Sequence, residues 1–162
     1  LVRLGILAVV IAAIVAALLL RDDFGAAQVG YGAVALSALV ASAVYCRVMD
    51  DQAAYLIAFD QHADYHSPNF LWFRDRLSRF IYVDRIAVSE QHRGRGLARL
   101  LYEEIFTYSA ESGHEVIVCE VNSDPPNPAS DAFHRAMAFT EMGDAQLDDR
   151  GKTVRYLRRA LD

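Results

Sequence analysis

Residues 82–98 read YVDRIAVSEQHRGRGLA, and this segment decides the fold that the sequence predicts. Its first seven residues are mostly β-formers with apolar side chains at both odd and even positions, which is typical of a central strand covered on both faces. A polar loop that contains Gly94 and Gly96 follows. Apolar residues at helical spacing then predict a helix that ends at Gly113.

The loop between this strand and this helix has the features of a phosphate-binding site. Gly94 and Gly96 allow a tight turn and close approach of a ligand, and Arg93 and Arg95 add positive charge to the N-terminal end of the helix. A glycine turn with solvated arginines is the structural alternative. A Rossmann loop is disfavoured because Arg99 stands where close helix packing needs Gly or Ala, and a Walker A loop because no Gly-Lys-Ser/Thr follows.

The loop resembles the acyl-CoA-binding motif of the GCN5-related N-acetyltransferases (GNAT), Gln/Arg-x-x-Gly-x-Gly/Ala, at Gln91, Gly94 and Gly96. The resemblance implies that acetyl-CoA is a co-substrate, with its pyrophosphate on the loop. It also implies that the preceding strand end splays from its neighbour and pairs with the pantetheine arm. The implied coenzyme contacts are Ile86, Ala87, Val88, Gln91, His92, Arg93, Gly94, Arg95, Gly96, Leu97 and Ala98.

The resemblance continues after the helix. A buried strand is predicted over residues 115–121, EVIVCEV, followed by Asn122 and by a helix that Asn127 caps. GNAT enzymes carry two Asn residues at these places and then Ala-x-x-x-Tyr-x-x-x-Gly-Phe, which implies that Asn122 and Asn127 also contact the coenzyme. His134 stands in place of the usual Tyr, and Ala138 in place of the usual Gly.

The fold implied by the resemblance is a single α/β (α+β) domain over residues 1–162, with a mixed, strongly twisted sheet of about seven strands flanked by helices. Two antiparallel hairpins agree with it, one over residues 43–59 and one over residues 139–157. A short helix is predicted to start after Ser67. Its aromatic residues indicate packing on the core, and an aromatic wall beside an acceptor site or a dimer contact is left open.

Acetyl transfer from a thioester to an amine needs a proton acceptor, a stabilised oxyanion and a proton for the leaving thiolate. The resemblance implies that the tyrosine of the motif protonates the thiolate, and His134, which stands in its place, is the candidate acid because imidazole titrates near neutral pH. The N–H of Val88 is the candidate oxyanion donor. Asp84 and Glu120 are candidate bases, because a carboxylate in an apolar strand is costly unless it is paired or used. Strand alternation predicts that Asp84 shares a face with Ile86 and Val88.

Each of these three side chains also has a purely structural interpretation. His134 would then be a partly exposed helix histidine, and Asp84 and Glu120 would pair with arginines such as Arg85. An ordered water could also replace a dedicated base.

Composition limits the partners. A net charge of −5 and the lack of a basic stripe disfavour nucleic acid. Cys46 and Cys119 lie far apart in apolar contexts, which predicts free thiols in a reducing compartment and hence a cytoplasmic protein. No Cys/His cluster has metal-ligand spacing, so no metal is expected. The expected partner is a small-molecule or peptide amine, and a homodimer is left open.

Residues 4–46 contain only three charged side chains and have the pattern of a membrane hairpin. A GNAT domain needs this material for its first strand and helices, so the soluble interpretation is favoured. The sequence therefore predicts an N-acetyltransferase that moves an acetyl group from acetyl-CoA to an amine by direct nucleophilic attack. A non-catalytic acyl-CoA sensor and a membrane-anchored protein are the alternatives, the first because His134 and Ala138 depart from the family motif.

Overall fold

The computed structural model describes residues 39–49, 53–148 and 151–161. These residues form a mixed sheet of six strands in the order β1-β2-β3-β4-β6-β5, with helices on both faces. The mixed α/β class is confirmed, and six of the roughly seven expected strands fall in the described ranges. The elements are β1 (Tyr45–Met49), β2 (Ala54–Asp60), α1 (Pro68–Arg74), β3 (Ile81–Val88), a 3₁₀ turn (Glu90–His92), α2 (Leu97–Glu111), β4 (Val116–Asp124), α3 (Pro128–Ala136), β5 (Thr140–Leu147) and β6 (Lys152–Ala160).

The sheet separates two apolar clusters, because alternate residues of each strand point to opposite faces. On one face, which we call the α2 face, Leu101 and Ile105 pack against Ile81, Val83 and Ile117. On the other, the α1 face, Phe70 and Phe73 pack against Tyr82, Val118 and Tyr156. Helix α3 joins the α2 face through Phe133. A side chain on β3 or β4 therefore meets either α2 and α3 or α1, but not both.

Strands β3 and β4 are the parallel pair of the sheet, and they are joined over a short distance only. Their register contains the pairs Ile81–Ile117 and Tyr82–Val118. Beyond these pairs β3 continues to Val88 and β4 to Asp124 without further pairing between them in the described residues. The two strands thus separate toward their carboxyl ends, as the resemblance implied.

A β-bulge in β3 puts Ile86 and Val88 on the opposite face of the sheet from Asp84. Ile57 of β2 pairs with Arg85 and Ala58 pairs with Val83, so Asp84 is an extra residue in the ladder. The prediction that Asp84 shares a face with Ile86 and Val88 is wrong, because one inserted residue inverts the alternation. Ile86 and Val88 pack on the α2 face, whereas Asp84 accepts a hydrogen bond from Tyr65, which packs on the α1 face.

Local signals set the ends of the helices as expected. The Ser67 hydroxyl oxygen accepts from the backbone N–H of Phe70 at the start of α1, and the Asn127 side chain does the same for Ser130 at the start of α3. Gly113 follows α2 with φ +75°. Strand β4 is longer than predicted, because it extends through Asn122 to Asp124.

Both predicted hairpins are confirmed, since β1 pairs antiparallel with β2, and β5 with β6. The expectation for the apolar N-terminal segment falls mostly on residues 4–38, outside the described ranges. Among the helices that are described, none combines the length and apolar character needed to cross a membrane.

Candidate active site

A cleft of about 310 Å³ lies where β3 and β4 separate. Both faces of the sheet contribute to it. Its walls include all three predicted catalytic candidates, together with Tyr102 and Cys119, which had no assigned role. The lining residues include Asp84, Ile86, Tyr102, Cys119, Glu120 and His134.

His134 and Tyr102 form a buried pair on the α2 face. Nε2 of His134 lies 2.8 Å from the Tyr102 hydroxyl, and Nδ1 lies 2.8 Å from the backbone carbonyl oxygen of Ser130. A carbonyl oxygen only accepts, so Nδ1 carries the ring proton. Nε2 is then the acceptor, and the Tyr102 hydroxyl donates to it.

Burial sets the charge states of this pair. Burial lowers the pKa of His134, although the hydrogen bond to the Ser130 backbone and the charge of Asp131 partly oppose this, so the imidazole is neutral near pH 7. Burial also raises the pKa of Tyr102 well above its ordinary value, with a smaller contribution from Cys119. The phenol therefore keeps its proton, and the interpretation of His134 as a partly exposed helix residue is wrong, since it is 4% exposed.

Glu120 lies on the α1 face, opposite the His134–Tyr102 pair. Its Oε1 accepts hydrogen bonds from Asn69 Nδ2 at 2.8 Å and from the Tyr82 hydroxyl at 3.2 Å. Its Oε2 is buried and has no hydrogen-bond partner among the described residues. Burial raises the pKa of Glu120 to about 7, the charge of Asp84 adds to this, and the hydrogen bonds from Tyr82 and Asn69 oppose it.

Asp84 has a more complete set of partners than Glu120. Its side chain is 7% exposed, Oδ1 accepts from the Tyr65 hydroxyl at 2.7 Å, and Oδ2 lies 3.2 Å from Nε of Arg85. The predicted pairing with Arg85 is thus present for Asp84. The described residues provide Glu120 with neutral donors instead of an arginine. The two candidate bases therefore differ, because one is neutralised by a cation and the other is not.

The glycine loop has space in front of it. Gly94 and Gly96 adopt φ +78° and +80°, and a Cβ atom built on either would find no neighbouring atom within 4 Å. Gly96 is the N-cap of α2, and the side chain of Leu97 turns into the core. The side chains of Gln91 and Arg93 are exposed, and that of His92 is partly exposed. The loop thus presents backbone amides and polar groups to the same end of the sheet at which β3 and β4 separate.

The two asparagines of the second motif are linked to each other. The backbone N–H of Asn127 donates to the carbonyl oxygen of Asn122 at 3.2 Å. Asn122 lies in β4 opposite Val154, and the Asn127 side-chain oxygen caps α3. This arrangement positions the start of α3, and with it His134, beside the cleft.

The sequence alone missed the role of Tyr102 and the burial of Asn69. Tyr102 stands in the apolar stripe of α2, where it reads as one more core residue. Asn69 reads as a polar residue at the mouth of the site, yet it is 5% exposed and bonded to Glu120. Only the partners reveal their roles, and those partners lie 32 and 51 residues away along the chain.

Comparison with known proteins supports the family resemblance. Residues 65–139 match the model of the acetyltransferase (GNAT) family. This segment contains β3, the glycine loop, α2, β4 and α3. No curated protein sequence gives a significant match.

Several solved structures share the fold. A GNAT-family protein from Desulfovibrio desulfuricans is similar over 95% of this chain and 92% of its own, with a TM-score of 0.64 and 15% identity. The ribosomal-protein-S18-alanine N-acetyltransferase from Escherichia coli is similar over 71% of this chain and 65% of its own, with a TM-score of 0.51 and 17% identity. Arabidopsis thaliana NAA60, solved with acetyl-CoA, is similar over 68% and 66%, with a TM-score of 0.52 and 13% identity.

In the last two comparisons the matched region spans slightly less than two thirds of the relative. At such low sequence identity the structural similarity shows only a shared fold, and the evidence for the family is the matched segment. Residues 65–139 thus match the GNAT acetyltransferase family, and the described residues have the fold of its solved structures.

Proposed function

We propose that the protein is an N-acetyltransferase that transfers the acetyl group of acetyl-CoA directly to an amine, without a covalent enzyme intermediate. One observation carries the proposal: the cleft between β3 and β4 has the hydrogen-bonded Tyr102–His134 pair on one wall and the Glu120 carboxyl on the other, whose Oε2 has no hydrogen-bond partner among the described residues. Direct transfer needs a proton acceptor for the amine and a proton donor for the leaving thiolate.

The acyl donor is proposed to bind across the glycine loop and along the separated end of β3. The backbone N–H groups of residues 91–98 would hold the pyrophosphate, because they lie at the N-terminal end of α2, next to open space at Gly94 and Gly96. The edge of β3 from Ile86 to Val88 would pair with the pantetheine arm. The Val88 N–H would stabilise the oxyanion, and Asn127 would contact the far side of the coenzyme.

Proton transfer to the leaving thiolate is assigned to His134 acting through Tyr102. Direct donation by His134 would require the imidazolium, which burial disfavours, and Nε2 already accepts from Tyr102. The Tyr102 hydroxyl keeps its proton and lies at the wall of the cleft. His134 is therefore proposed as the positioning residue and Tyr102 as the donor.

The two cysteines bear on the compartment in which the protein works. Cys119 is buried and Cys46 is half-buried, and both are free thiols. Free thiols support the proposal of a reducing, cytoplasmic compartment. Structural relatives include enzymes named for a protein acceptor, as in the ribosomal-protein-S18-alanine N-acetyltransferase, and for a small molecule, as in nourseothricin acetyltransferase.

Calorimetry with acetyl-CoA, followed by a thiol-release assay over a panel of amines, tests the proposal. We expect saturable binding to the folded protein and amine-dependent release of free thiol. Absence of acetyl-CoA binding would overturn the function altogether. Binding without thiol release for any amine would favour the acyl-CoA sensor.

A further inference from the structure

Two hydrogen-bond donors from neighbouring strands, Tyr55 and Arg85, line the cleft on its α1 side. Tyr55 of β2 is opposite Ala87 of β3, and Arg85 of β3 is opposite Ile57 of β2. Residues that are paired across an antiparallel ladder point to the same face of the sheet. Arg85 therefore shares the α1 face with the buried Ile57, and Tyr55 packs against the same cluster. The two donors are diagonal neighbours on this face.

Arg85 uses only part of its hydrogen-bonding capacity. Its Nε donates to Asp84 Oδ2 at 3.2 Å, whereas Nη1 and Nη2 make no hydrogen bond to any described residue. The Arg85 side chain is 56% exposed and that of Asp84 is 7% exposed, so the cation stands on the solvent side of this pair. An arginine with two unused terminal nitrogens can bind a carboxylate through two parallel hydrogen bonds.

The Tyr55 hydroxyl is a second donor at this place. It makes no hydrogen bond to a described residue. Four other tyrosines around the cleft do make such bonds, namely Tyr65, Tyr82, Tyr102 and Tyr156. Burial raises the pKa of Tyr55 and the charge of Arg85 opposes the rise, so the phenol keeps its proton near pH 7. A hydroxyl in this position bonds to water or to a ligand that displaces the water.

The volume of the cleft limits the size of a ligand that reaches these two donors. The cleft holds about 310 Å³, which is at the lower end of the roughly 300–1,000 Å³ that small-molecule sites enclose. The acetyl group and the sulfur end of the coenzyme are proposed to take part of this space. An acceptor that extends from the acetyl group to Arg85 is therefore small, with only a few bonds between its amine and its other polar group.

From this geometry we infer that Arg85 and Tyr55 bind a carboxylate of the acceptor and thereby determine which amines the protein acetylates. The acceptor class is thus a small amino acid with an unmodified carboxylate. Its amine points to the acetyl group, and its carboxylate lies at the Arg85 end of the cleft. The inference rests on the proposed function and deepens it, because it names the substrate class.

The transfer step balances for such an acceptor. The neutral amine forms the C–N bond to the acetyl carbon and loses one proton, and the C–S bond breaks as the sulfur takes one proton up. An acceptor that starts as the ammonium ion releases one further proton to solvent. The products are an N-acetylamino acid and free coenzyme A, and the carboxylate remains unchanged throughout.

β-Alanine and β-alaninamide form a matched pair of acceptors, because the amide lacks the charge that Arg85 would bind. Glycine and 4-aminobutyrate, each with its own amide, cover a shorter and a longer spacing. The readout is the ratio of kcat/KM for the acid to kcat/KM for its amide, both expressed per neutral amine and measured by thiol release. We expect a ratio of at least about ten at the best spacing. A ratio of one or less at every spacing would overturn the inference.

Substitution of Arg85 should lower this ratio. Arg85→Gln removes the cation and should lower it about tenfold, whereas Arg85→Lys keeps a charge without the planar fork and should retain part of it. Loss of the hydrogen bond to Asp84 affects the acid and the amide alike, so it cancels in the ratio. Arg158→Gln is the matched control, since Arg158 is exposed on β6 and does not line the cleft. An unchanged ratio in Arg85→Gln, or an equal fall in Arg158→Gln, would overturn the inference.

Tyr55→Phe tests the second donor. The ring stays against the α1 face and only the hydroxyl is lost, so the ratio should fall by less than in Arg85→Gln, because a neutral donor contributes less than a charged one. Tyr108→Phe, whose hydroxyl donates to the Val44 carbonyl oxygen outside the cleft, should leave the ratio unchanged. Equal ratios in the two tyrosine variants would remove Tyr55 from the proposed site.

A binding measurement tests the inference without turnover. N-acetyl-β-alanine is titrated by calorimetry into the protein saturated with coenzyme A, with N-acetyl-β-alaninamide as the uncharged comparison. We expect Arg85→Gln to weaken binding of the acid about tenfold and that of the amide little. Equal effects on the two compounds would overturn the inference while leaving the proposed function in place. Failure of the unmodified protein to bind acetyl-CoA would instead overturn the proposed function, and this inference with it.

Discussion

Tyr102 and His134 come from different helices and form a 2.8 Å hydrogen bond at the wall of the cleft. Because Nδ1 of His134 donates to the Ser130 carbonyl oxygen, the Tyr102 hydroxyl must donate to Nε2. The family motif would place a tyrosine on α3, and here α3 has a histidine that holds a tyrosine from α2. The phenol is thus kept beside the cleft by a different pair of elements.

Replacing Tyr102 with Phe should separate catalysis from binding. The ring remains in the core, but the hydroxyl that faces His134 is lost. We expect kcat to fall about 100-fold, with acetyl-CoA binding by calorimetry unchanged. Tyr108→Phe on the same helix is the matched control, because its hydroxyl donates to the Val44 carbonyl and is not part of the cleft. Similar losses of kcat in both variants would contradict the role of Tyr102.

A second prediction concerns the glycine loop. Gly96→Asp puts bulk and negative charge in the open space at the start of α2, where the pyrophosphate is proposed to bind. We expect acetyl-CoA affinity to fall at least about tenfold, measured by calorimetry.

Gly113→Asp provides the control at the other end of α2. Gly113 has φ +75°, close to the +80° of Gly96, so the backbone strain is matched. Its new Cβ would meet only the flexible end of the Arg79 side chain. Equal loss of affinity in the two variants would show that strain, and not the loop, accounts for the effect.

The raised pKa of Glu120 has a consequence for stability. The pKa of Glu120 is raised from 4.5 to about 7 in the folded protein, so the ionised carboxylate destabilises the folded state. This loss of folding free energy is absent below pH 4.5 and complete above pH 7. Glu120→Gln should therefore increase the free energy of unfolding at pH 8, by up to about 3 kcal/mol, and change it little near pH 4.5. Chemical denaturation at the two pH values measures this.

Glu115→Gln removes an exposed carboxylate just before the same strand and should leave the free energy of unfolding unchanged at both pH values. If Glu120→Gln is no more stable than the unmodified protein at pH 8, the cost assigned to the buried carboxylate is wrong.

A fourth prediction concerns Ala138, which follows α3 with φ +62°. An alanine in this conformation is strained because its Cβ lies close to the backbone, and glycine is not. Ala138→Gly should therefore stabilise the protein by about 1 kcal/mol, after allowance for the greater freedom of glycine in the unfolded chain. The usual Gly of the family motif at this position has the same explanation.

Ala136→Gly, two residues earlier and still in α3, should destabilise the protein by about 0.5–1 kcal/mol. Both alanines are exposed, so packing is not a factor in the comparison. Denaturation curves that show the same sign for both substitutions would refute the assignment of strain to Ala138.

The features that the sequence predicted well have local causes. The cap at Ser67, the cap at Asn127 and the turn at Gly113 each depend on a few neighbouring residues, and all three are present. The turn in the glycine loop also has a local cause, since Gly94 and Gly96 both adopt a positive φ. The order of the motifs along the chain was then enough to predict that β3 separates from a neighbouring strand.

The features that the sequence missed depend on contacts between distant segments. The bulge at Asp84 exists because of how β3 pairs with β2, and nothing within β3 marks it. Glu120 is hydrogen-bonded to Asn69, and His134 is hydrogen-bonded to Tyr102. Charge within apolar strands singled out Asp84 and Glu120, and the family motif singled out His134, but the partner decides whether a buried polar group is satisfied, oriented or left without a hydrogen bond.

The separation of β3 from β4 also bears on how the protein avoids sticking to itself. Unpaired strand edges are sites at which another chain can add a strand and start aggregation. Here the unpaired edge faces its own neighbouring strand inside the molecule, with α2 and α3 over one face of the sheet and α1 over the other. Because helices cover both faces of the sheet at this edge, a second chain reaches it less easily than it reaches the outer strands β1 and β5.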